Sequence, residues 1–126
     1  MKAVFVLIFL MLMGCSKHSS QPSVLAGNWR LNSYIQSVMG NGSWQAADSL
    51  NPKYIQFNAD GTLTFSASDQ ADFNNASRYQ VTSDTTMIFY EAYGTTPIKF
   101  YLADTVLTMY PGCMEECVDR YTRVQQ

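Results

Sequence analysis

The chain has 126 residues, of which 47% are hydrophobic, 13% aromatic and 14% charged, and its formal net charge is −2. This length predicts one domain with a modest core, and many aromatic residues with few charges argue against disorder. The mild acidity and the lack of a basic patch exclude nucleic acid as an expected partner.

An apolar run from Ala3 to Met13 follows the single positive residue Lys2 at the start of the chain. A helix of this length rises only about 16 Å, whereas the hydrocarbon core of a bilayer is about 30 Å thick. A basic residue followed by a short apolar run is typical of a secretory signal peptide, which is excluded from fold reasoning. The run therefore predicts export of the protein.

The end of this run, Leu12-Met13-Gly14-Cys15, resembles the bacterial lipobox, in which a leucine and a small residue precede a cysteine. The resemblance implies cleavage after Gly14 and lipidation of the Cys15 sulfur by a diacylglyceryl group carrying fatty acids such as palmitate. Several acyl chains anchor a protein stably, so the lipid bilayer is an expected partner. The alternative is an ordinary signal peptide with a chance cysteine.

These signals divide the chain into three parts. We expect a lipoprotein signal peptide at 1–14, a lipidated cysteine with a flexible tether at 15–23, and a folded domain at 24–126. The expected location is the cell envelope, with the protein anchored by lipid in the outer membrane. The tether lacks an acidic cluster, which favours the periplasmic side.

The cysteine count supports the same division. Three cysteines are an odd number for an exported protein, and lipidation of Cys15 leaves Cys113 and Cys117 as a pair. Disulfides persist in oxidising compartments, so we predict a Cys113–Cys117 disulfide. Two thiolates alone fall short of the four ligands of a structural zinc site, and we expect no metal site.

The segment after the tether alternates between apolar and polar residues in short runs separated by turn residues, which predicts an all-β domain. Between Thr62 and Ser66, for example, Leu63 and Phe65 share one face of a strand. The eight predicted strands are Trp29–Val38, Tyr54–Asn58, Thr62–Ser66, Arg78–Thr82, Thr85–Tyr90, Ile98–Leu102, Val106–Tyr110 and Val118–Val124.

Short and long connections alternate strictly between these strands. Short turns (ADG, SD and ADT) follow the second, fourth and sixth strands, whereas MGNGSWQAADSLNPK, ASDQADFNNAS, EAYGTTP and PGCMEEC form long loops. In an up-and-down sheet this pattern places every long loop at one end. We therefore predict an eight-stranded antiparallel up-and-down barrel with one elaborated mouth and one closed base.

Two motifs in this domain carry a family resemblance. Gly27-Asn28-Trp29 resembles the G-x-W signature of the lipocalins, and the segment from Asp119 to Arg123 (DRYTR) resembles their closing segment. With the lipobox and FNADGT (57–62) before that segment, the order is similar to the small lipocalin-like lipoproteins of Bacteroidetes. The resemblance covers 25–124 and implies a lipocalin-like barrel in which Arg123 packs over Trp29 at the closed base.

The sequence contains no recognisable catalytic arrangement. The single histidine, His18, lies in the tether, so no Ser-His-Asp or Cys-His arrangement can form within the domain. The neighbouring carboxylates Glu115 and Glu116 point apart on an extended backbone. We therefore expect a protein that is not an enzyme and that uses no cofactor.

The inward strand faces are rich in apolar side chains, which line a pocket or simply fill the core of a barrel this small. These inward candidates are Ile55, Phe57, Leu63, Phe65, Tyr79, Val81, Phe100, Leu102, Leu107 and Met109. Four large apolar residues fall in the long loops and would form a recognition surface or a lid: Trp44, Phe73, Tyr93 and Met114.

We therefore predict a membrane-anchored, lipocalin-like binding module for a small hydrophobic or amphipathic molecule. The alternative is a tethered module that binds another envelope protein and has a filled barrel. The predicted ligand-binding residues are Phe57, Phe65, Tyr79, Phe100, Leu107, Met109, Trp44, Phe73 and Tyr93.

Overall fold

The computed structural model describes residues 24–36, 42–66, 76–112 and 117–125, which form β-strands and no helix. The strands are β1 (Gly27–Gln36), β2 (Gln45–Ala46), β3 (Tyr54–Phe57), β4 (Leu63–Phe65), β5 (Arg78–Ser83), β6 (Thr86–Glu91), β7 (Gly94–Ala103), β8 (Val106–Tyr110) and β9 (Cys117–Arg123). The predicted signal peptide, Cys15 and the tether lie outside the described residues. No helix among the described residues is long and apolar enough to cross a membrane.

The strands form one antiparallel sheet in the order β4-β3-β1-β9-β8-β7-β6-β5, with the short β2 beside β1. The two outermost strands, β4 and β5, approach each other through the bridge between Thr62 and Arg78. Backbone hydrogen bonds support this seam, because the Leu63 N–H donates to the Ser77 carbonyl at 3.0 Å and the Tyr79 N–H donates to the Gly61 carbonyl at 2.8 Å. The result is a nearly closed, eight-stranded, up-and-down barrel, which confirms the predicted fold class.

Three tight turns connect strands at one end of the barrel, the base, as the short sequence connections predict. In the β3–β4 turn, the Asp60 carboxylate accepts hydrogen bonds from the backbone N–H and the hydroxyl of Thr62, at 2.9 and 2.6 Å. In the β7–β8 turn, Asp104 has a φ of 51°, a left-handed conformation that Asp tolerates better than most residues. Side-chain chemistry therefore fixes these turns locally.

The prediction of a long loop between β6 and β7 is wrong. Glu91 pairs directly with Gly94, so only Ala92 and Tyr93 form the turn. The strand continues through Pro97, which lies opposite Ile88. Proline is tolerated in a strand with an unpaired edge, and the β7–β8 ladder begins only at residue 99. The opposite end of the barrel, the mouth, therefore has three longer connections and one tight turn.

The connection from β1 to β3 contains a strand that the sequence did not predict. Gln45 and Ala46 of β2 pair with Tyr34 and Ser33 of β1. This pairing is possible because β3 covers only the first part of β1, from Gly27 to Arg30. A two-residue strand has no detectable periodicity, and its formation depends on the free edge of β1.

Large apolar side chains fill the barrel interior of the described structure. Those with essentially no exposure are Trp29, Tyr121, Phe57, Phe89, Phe100, Leu25, Ile55, Met87, Ile98, Leu107 and Met109. Met87 and Phe89 face inward, which resolves the register of β6 that its sequence left open. Val81 was expected inside but is 37% exposed, because β4 reaches β5 only near Arg78.

Candidate functional site

The base of the barrel is closed by a stack of two side chains. The Arg123 guanidinium lies over the Trp29 ring, 4.3 Å from its centroid. Its two terminal nitrogens donate hydrogen bonds to the Ala26 and Val24 carbonyls, and the Trp29 indole N–H donates to the Leu25 carbonyl at 2.8 Å. The stack implied by the lipocalin resemblance is therefore present, and it ties the residues before β1 to β9.

Gly27 makes room for this stack. A Cβ atom at this position would lie 2.9 Å from Nη1 of Arg123, and the backbone φ of +136° is one that side-chain-bearing residues rarely adopt. Glycine is therefore required both by the backbone conformation and by the close approach of the guanidinium. This gives a physical reason for the glycine two residues before Trp29.

The structure brings most predicted ligand-binding residues into one cluster. Their side chains are buried in the hydrophobic core, except that Phe65 is only partly buried and packs against it. Tyr79 packs edge-on against Phe57 at 4.9 Å, and its hydroxyl donates to the Asn58 carbonyl at 2.8 Å. These two aromatic rings thus fix each other deep in the barrel.

Towards the mouth, inward side chains are half-buried and more polar. Asp119 lies directly opposite Met109 on one side and Tyr34 on the other, and directly opposed residues share a face of the sheet. Because Met109 belongs to the core, Asp119 and Tyr34 also face the interior. Thr96 of β7 is half-buried and lies opposite the core residue Phe89. The interior therefore changes from apolar at depth to mixed near the mouth.

The predicted loop aromatic residues do not form one surface in the described structure. Trp44 is 43% exposed and stacks under the Arg120 guanidinium on the outer wall, with the guanidinium carbon 4.0 Å from its ring centroid. Tyr93 is wholly exposed at the tip of the β6–β7 turn. Phe73 and Met114 lie outside the described residues.

The outer wall carries further pairs of cations and aromatic rings. Lys99 lies between Tyr101 and Tyr110, with its ammonium 5.5 and 5.6 Å from the two ring centroids. Arg78 lies 5.0 Å from the ring of Tyr90 on the neighbouring part of the wall. These contacts stabilise neighbouring strands and also present an aromatic, basic surface.

Two aspartates outside the barrel interior have perturbed acidity. Hydrogen bonds from the Thr62 hydroxyl and then its backbone N–H lower the pKa of Asp60. A hydrogen bond from the Asn51 side chain, followed by one from the Leu50 backbone N–H, lowers the pKa of Asp48. Each shift is explained by turn hydrogen bonds. Among the described residues, no group of three or more His, Cys, Asp or Glu side chains could hold a metal ion.

The remaining predicted residues lie at the edge of the described structure. Cys117 begins β9 and is half-buried, whereas Cys113 and Cys15 are outside the described residues. The predicted disulfide and the lipidation therefore stay predictions. The sequence did not identify Asp119 as an inward residue. Which side of the sheet Asp119 faces becomes clear only when β9 is paired with β8 and Asp119 lies opposite Met109.

Comparison with known proteins gives no match: no family model, no curated protein and no solved structure matches this chain.

Proposed function

We propose that the chain is a lipid-anchored, lipocalin-like binding module of the bacterial cell envelope, and that it binds a small hydrophobic or amphipathic molecule at the barrel mouth. The barrel fold is consistent with a binding module. The observation that carries the proposal is the change in the inward residues, from a fully buried apolar core to the half-buried Tyr34, Thr96 and Asp119.

This arrangement suits a molecule with an apolar part and a polar end. Pockets for small molecules usually combine apolar walls with a few polar groups that fix orientation. The side chains of Met109 and Phe65 would contact the apolar part, whereas the Asp119 carboxylate would contact the polar end. The filled lower barrel limits the ligand to a small one, so its affinity would be modest.

A thermal-shift experiment tests ligand binding. Lauric acid, dodecanol, a sterol, a haem-like pigment and a quinone would each be added to wild type and to two variants, Phe65→Trp and Tyr101→Trp. A ligand at a hundredfold its Kd stabilises the folded state by about 2.7 kcal/mol, which for a domain of this size is roughly 10–20 °C in Tm. We expect the shift in wild type and in Tyr101→Trp, an outer-wall control, and its loss in Phe65→Trp.

Two results would contradict ligand binding in the barrel. One is a panel in which no compound raises the Tm of wild type. The other is a genuine shift that Phe65→Trp leaves unchanged, because Phe65 packs against the core at the mouth end.

The anchor is a separate part of the proposal and has its own test. The lipobox resemblance supports lipidation of Cys15. A Cys15→Ser variant should fail to incorporate a fatty-acid probe and should leave the membrane fraction. A variant that keeps its label and its membrane association would rule out this anchor.

The disulfide is proposed to order the segment before β9. Lipidation of Cys15 would leave two cysteines in the domain, and this supports pairing of Cys117 with Cys113, the nearest cysteine in sequence. The closed loop is short, so the expected stabilisation is only about 2 kcal/mol. Alkylation of protein from the envelope without reductant should leave both thiols unmodified, and two alkylated thiols would exclude the bridge.

A second candidate function is binding of another envelope protein, and the outer wall favours it. Trp44 with Arg120 and the ring pair of Tyr101 with Tyr110 present aromatic and arginine side chains, which are enriched at interfaces. Cross-linking in the envelope should then capture a partner with wild type and lose it with Trp44→Ala. An Arg78→Ala variant serves as the control for another cation–aromatic pair, and equal capture by both variants would reject this surface.

A further inference from the structure

A groove lies on the outside of the barrel, apart from the interior and the mouth. Its floor is formed by residues 30–32 of β1 and residues 122–124 at the end of β9, and its wall by residues 46–49, which begin at the end of β2. Its volume is about 530 Å³, within the range of about 300–1,000 Å³ that is common for small-molecule sites. The lining residues are Arg30, Leu31, Asn32, Ala46, Ala47, Asp48, Ser49, Thr122, Arg123 and Val124.

Three charged residues line the groove, but the Arg123 guanidinium is already held by Trp29 and by the Ala26 and Val24 carbonyls. The other two, Arg30 and Asp48, have opposite charges and form no ion pair with each other. The exposed Arg30 guanidinium has no hydrogen-bond or ion-pair partner among the described residues. Asp48 accepts hydrogen bonds from the Leu50 N–H at 2.9 Å and from the Asn51 side chain at 2.8 Å, but it forms no ion pair with Arg30. Lys53, which is not among the lining residues, also interacts electrostatically with Asp48. The Arg30 guanidinium therefore stays available to an occupant, and each Asp48 oxygen keeps a lone pair beyond its one turn hydrogen bond.

Hydrogen bonding and a backbone irregularity shape the floor of this groove. The Asn32 side-chain amide donates to the Thr122 hydroxyl at 3.3 Å, and the Asn32 carbonyl accepts from the Ala47 N–H at 2.9 Å. The pairing of β1 with β9 shifts register between Leu31 and Ser33, which makes Asn32 the extra residue of a β-bulge. Bulges re-aim side chains and are frequent beside functional sites. Here the bulge residue Asn32 contacts the wall through its backbone carbonyl, at Ala47, and the floor through its side-chain amide, at Thr122.

The small side chains of the groove restrict what can lie between the two charges. Ala46, Ala47 and Ser49 occupy the wall and leave room for an extended chain of small residues. The Asn32 amide oxygen and the Ser49 hydroxyl are additional hydrogen-bonding groups for a peptide backbone. An anion alone would leave Asp48 opposed by a like charge, and a cation alone would do the same to Arg30.

We propose that this groove binds a small zwitterion of the size of a di- or tripeptide. Its carboxylate pairs with Arg30, and its ammonium group pairs with Asp48. The small side chains lie against Ala46 and Ala47. This site is independent of the ligand proposed for the barrel mouth.

The probe for this site is trialanine, titrated into isotope-labelled full-length protein in mild detergent at pH 7 and followed by amide NMR shifts. Two blocked forms are the comparators: N-acetyl-trialanine, which lacks the ammonium group, and trialanine amide, which lacks the carboxylate. We expect saturable shifts at Ala46, Ala47 and Thr122, and about tenfold weaker binding for each blocked form.

Variants assign each charge to its partner. Arg30→Gln should weaken trialanine binding about tenfold and leave binding of trialanine amide unchanged. Asp48→Asn should weaken trialanine binding to a similar degree and leave binding of N-acetyl-trialanine unchanged. Arg78→Gln, which removes a cation outside the groove, and Phe65→Trp, which blocks the mouth, should both bind trialanine as wild type does.

The proposal is overturned if trialanine gives no saturable shifts at the groove residues up to tens of millimolar. It is also overturned if both blocked forms bind wild type as tightly as trialanine does. Because the comparison of the three peptides uses wild type, it decides the matter even if a variant fails to fold. If no compound of the thermal-shift panel stabilises wild type but trialanine still binds at the groove residues, the mouth site is rejected and the groove site is supported.

Discussion

Replacing Trp29 by phenylalanine tests whether the stack at the base stabilises the barrel, and Trp44→Phe is the matched control. Both substitutions replace an indole ring that stacks on an arginine guanidinium by a smaller phenyl ring. They differ in burial, because Trp29 is wholly buried whereas Trp44 is 43% exposed. They also differ in hydrogen bonding, because the Trp29 N–H donates to the buried Leu25 carbonyl.

The expected cost at Trp29 has three parts. Removal of part of a buried ring costs about 1–2 kcal/mol in a core that collapses incompletely. The lost hydrogen bond to Leu25 costs about 1 kcal/mol, and the weaker stack with Arg123 costs about 0.5–1 kcal/mol. We therefore expect Trp29→Phe to lower the free energy of unfolding by about 3 kcal/mol. Trp44→Phe should cost less than about 1 kcal/mol, since only an exposed stack with Arg120 weakens.

Chemical denaturation followed by far-ultraviolet circular dichroism measures this difference, because the fluorescence of the two tryptophans changes with the substitutions themselves. The denaturation midpoint should fall strongly for Trp29→Phe with an unchanged slope. In thermal unfolding the loss corresponds to roughly 12–24 °C in Tm for a domain of this size. Equal midpoints for the two variants would refute the claim that the base stack stabilises the fold.

Three further predictions concern the base and its turns. Arg123→Lys should lower the free energy of unfolding by about 1–2 kcal/mol, because an ammonium group cannot both stack flat on the Trp29 ring and donate to the Ala26 and Val24 carbonyls. The surface control Arg78→Lys should change the free energy of unfolding by less than about 0.5 kcal/mol in the same denaturation assay. Gly27→Ala should cost about 2 kcal/mol or more through its strained φ and its contact with Arg123, and an unchanged melting curve would contradict this. Thr62→Val should raise the pKa of Asp60 in a carboxyl NMR titration. The lowered pKa of Asp60 contributes stability that is fully present above its ordinary pKa of 3.8 and is lost as the pH falls through its folded pKa. The variant should therefore lose less stability than wild type when the pH is lowered through this range. An unchanged Asp60 titration would contradict the assignment.

Local chemistry made much of the barrel predictable. The turns at Asp60 and Asp104 are encoded by residues that hydrogen-bond to their own backbone or tolerate left-handed conformations. The buried positions Phe57 and Leu63 follow from simple alternation along their strands. Motif resemblance predicted the stack of Arg123 on Trp29, which alternation alone would not give.

Other features depended on contacts between distant segments. The segment around Pro97 was predicted as a loop because proline usually interrupts a strand. β7 accommodates Pro97 because its ladder with β8 begins only at Lys99, and this depends on a contact between segments that the sequence does not reveal. Val81 has an inward position, but in the part of the chain that the structure describes no strand covers it. The external groove could not be predicted, because Asp48 and Thr122 are far apart in sequence and meet only after β2 pairs with β1.

The hydrogen bond from Arg123 to the Val24 carbonyl fixes where the preceding chain leaves the domain. The exit lies at the base, so an anchor at Cys15 would hold the molecule by its closed end. The nine residues from there to Val24 span at most about 30 Å. The barrel would then stand away from the membrane with its mouth directed outwards, open to molecules that arrive from the aqueous compartment.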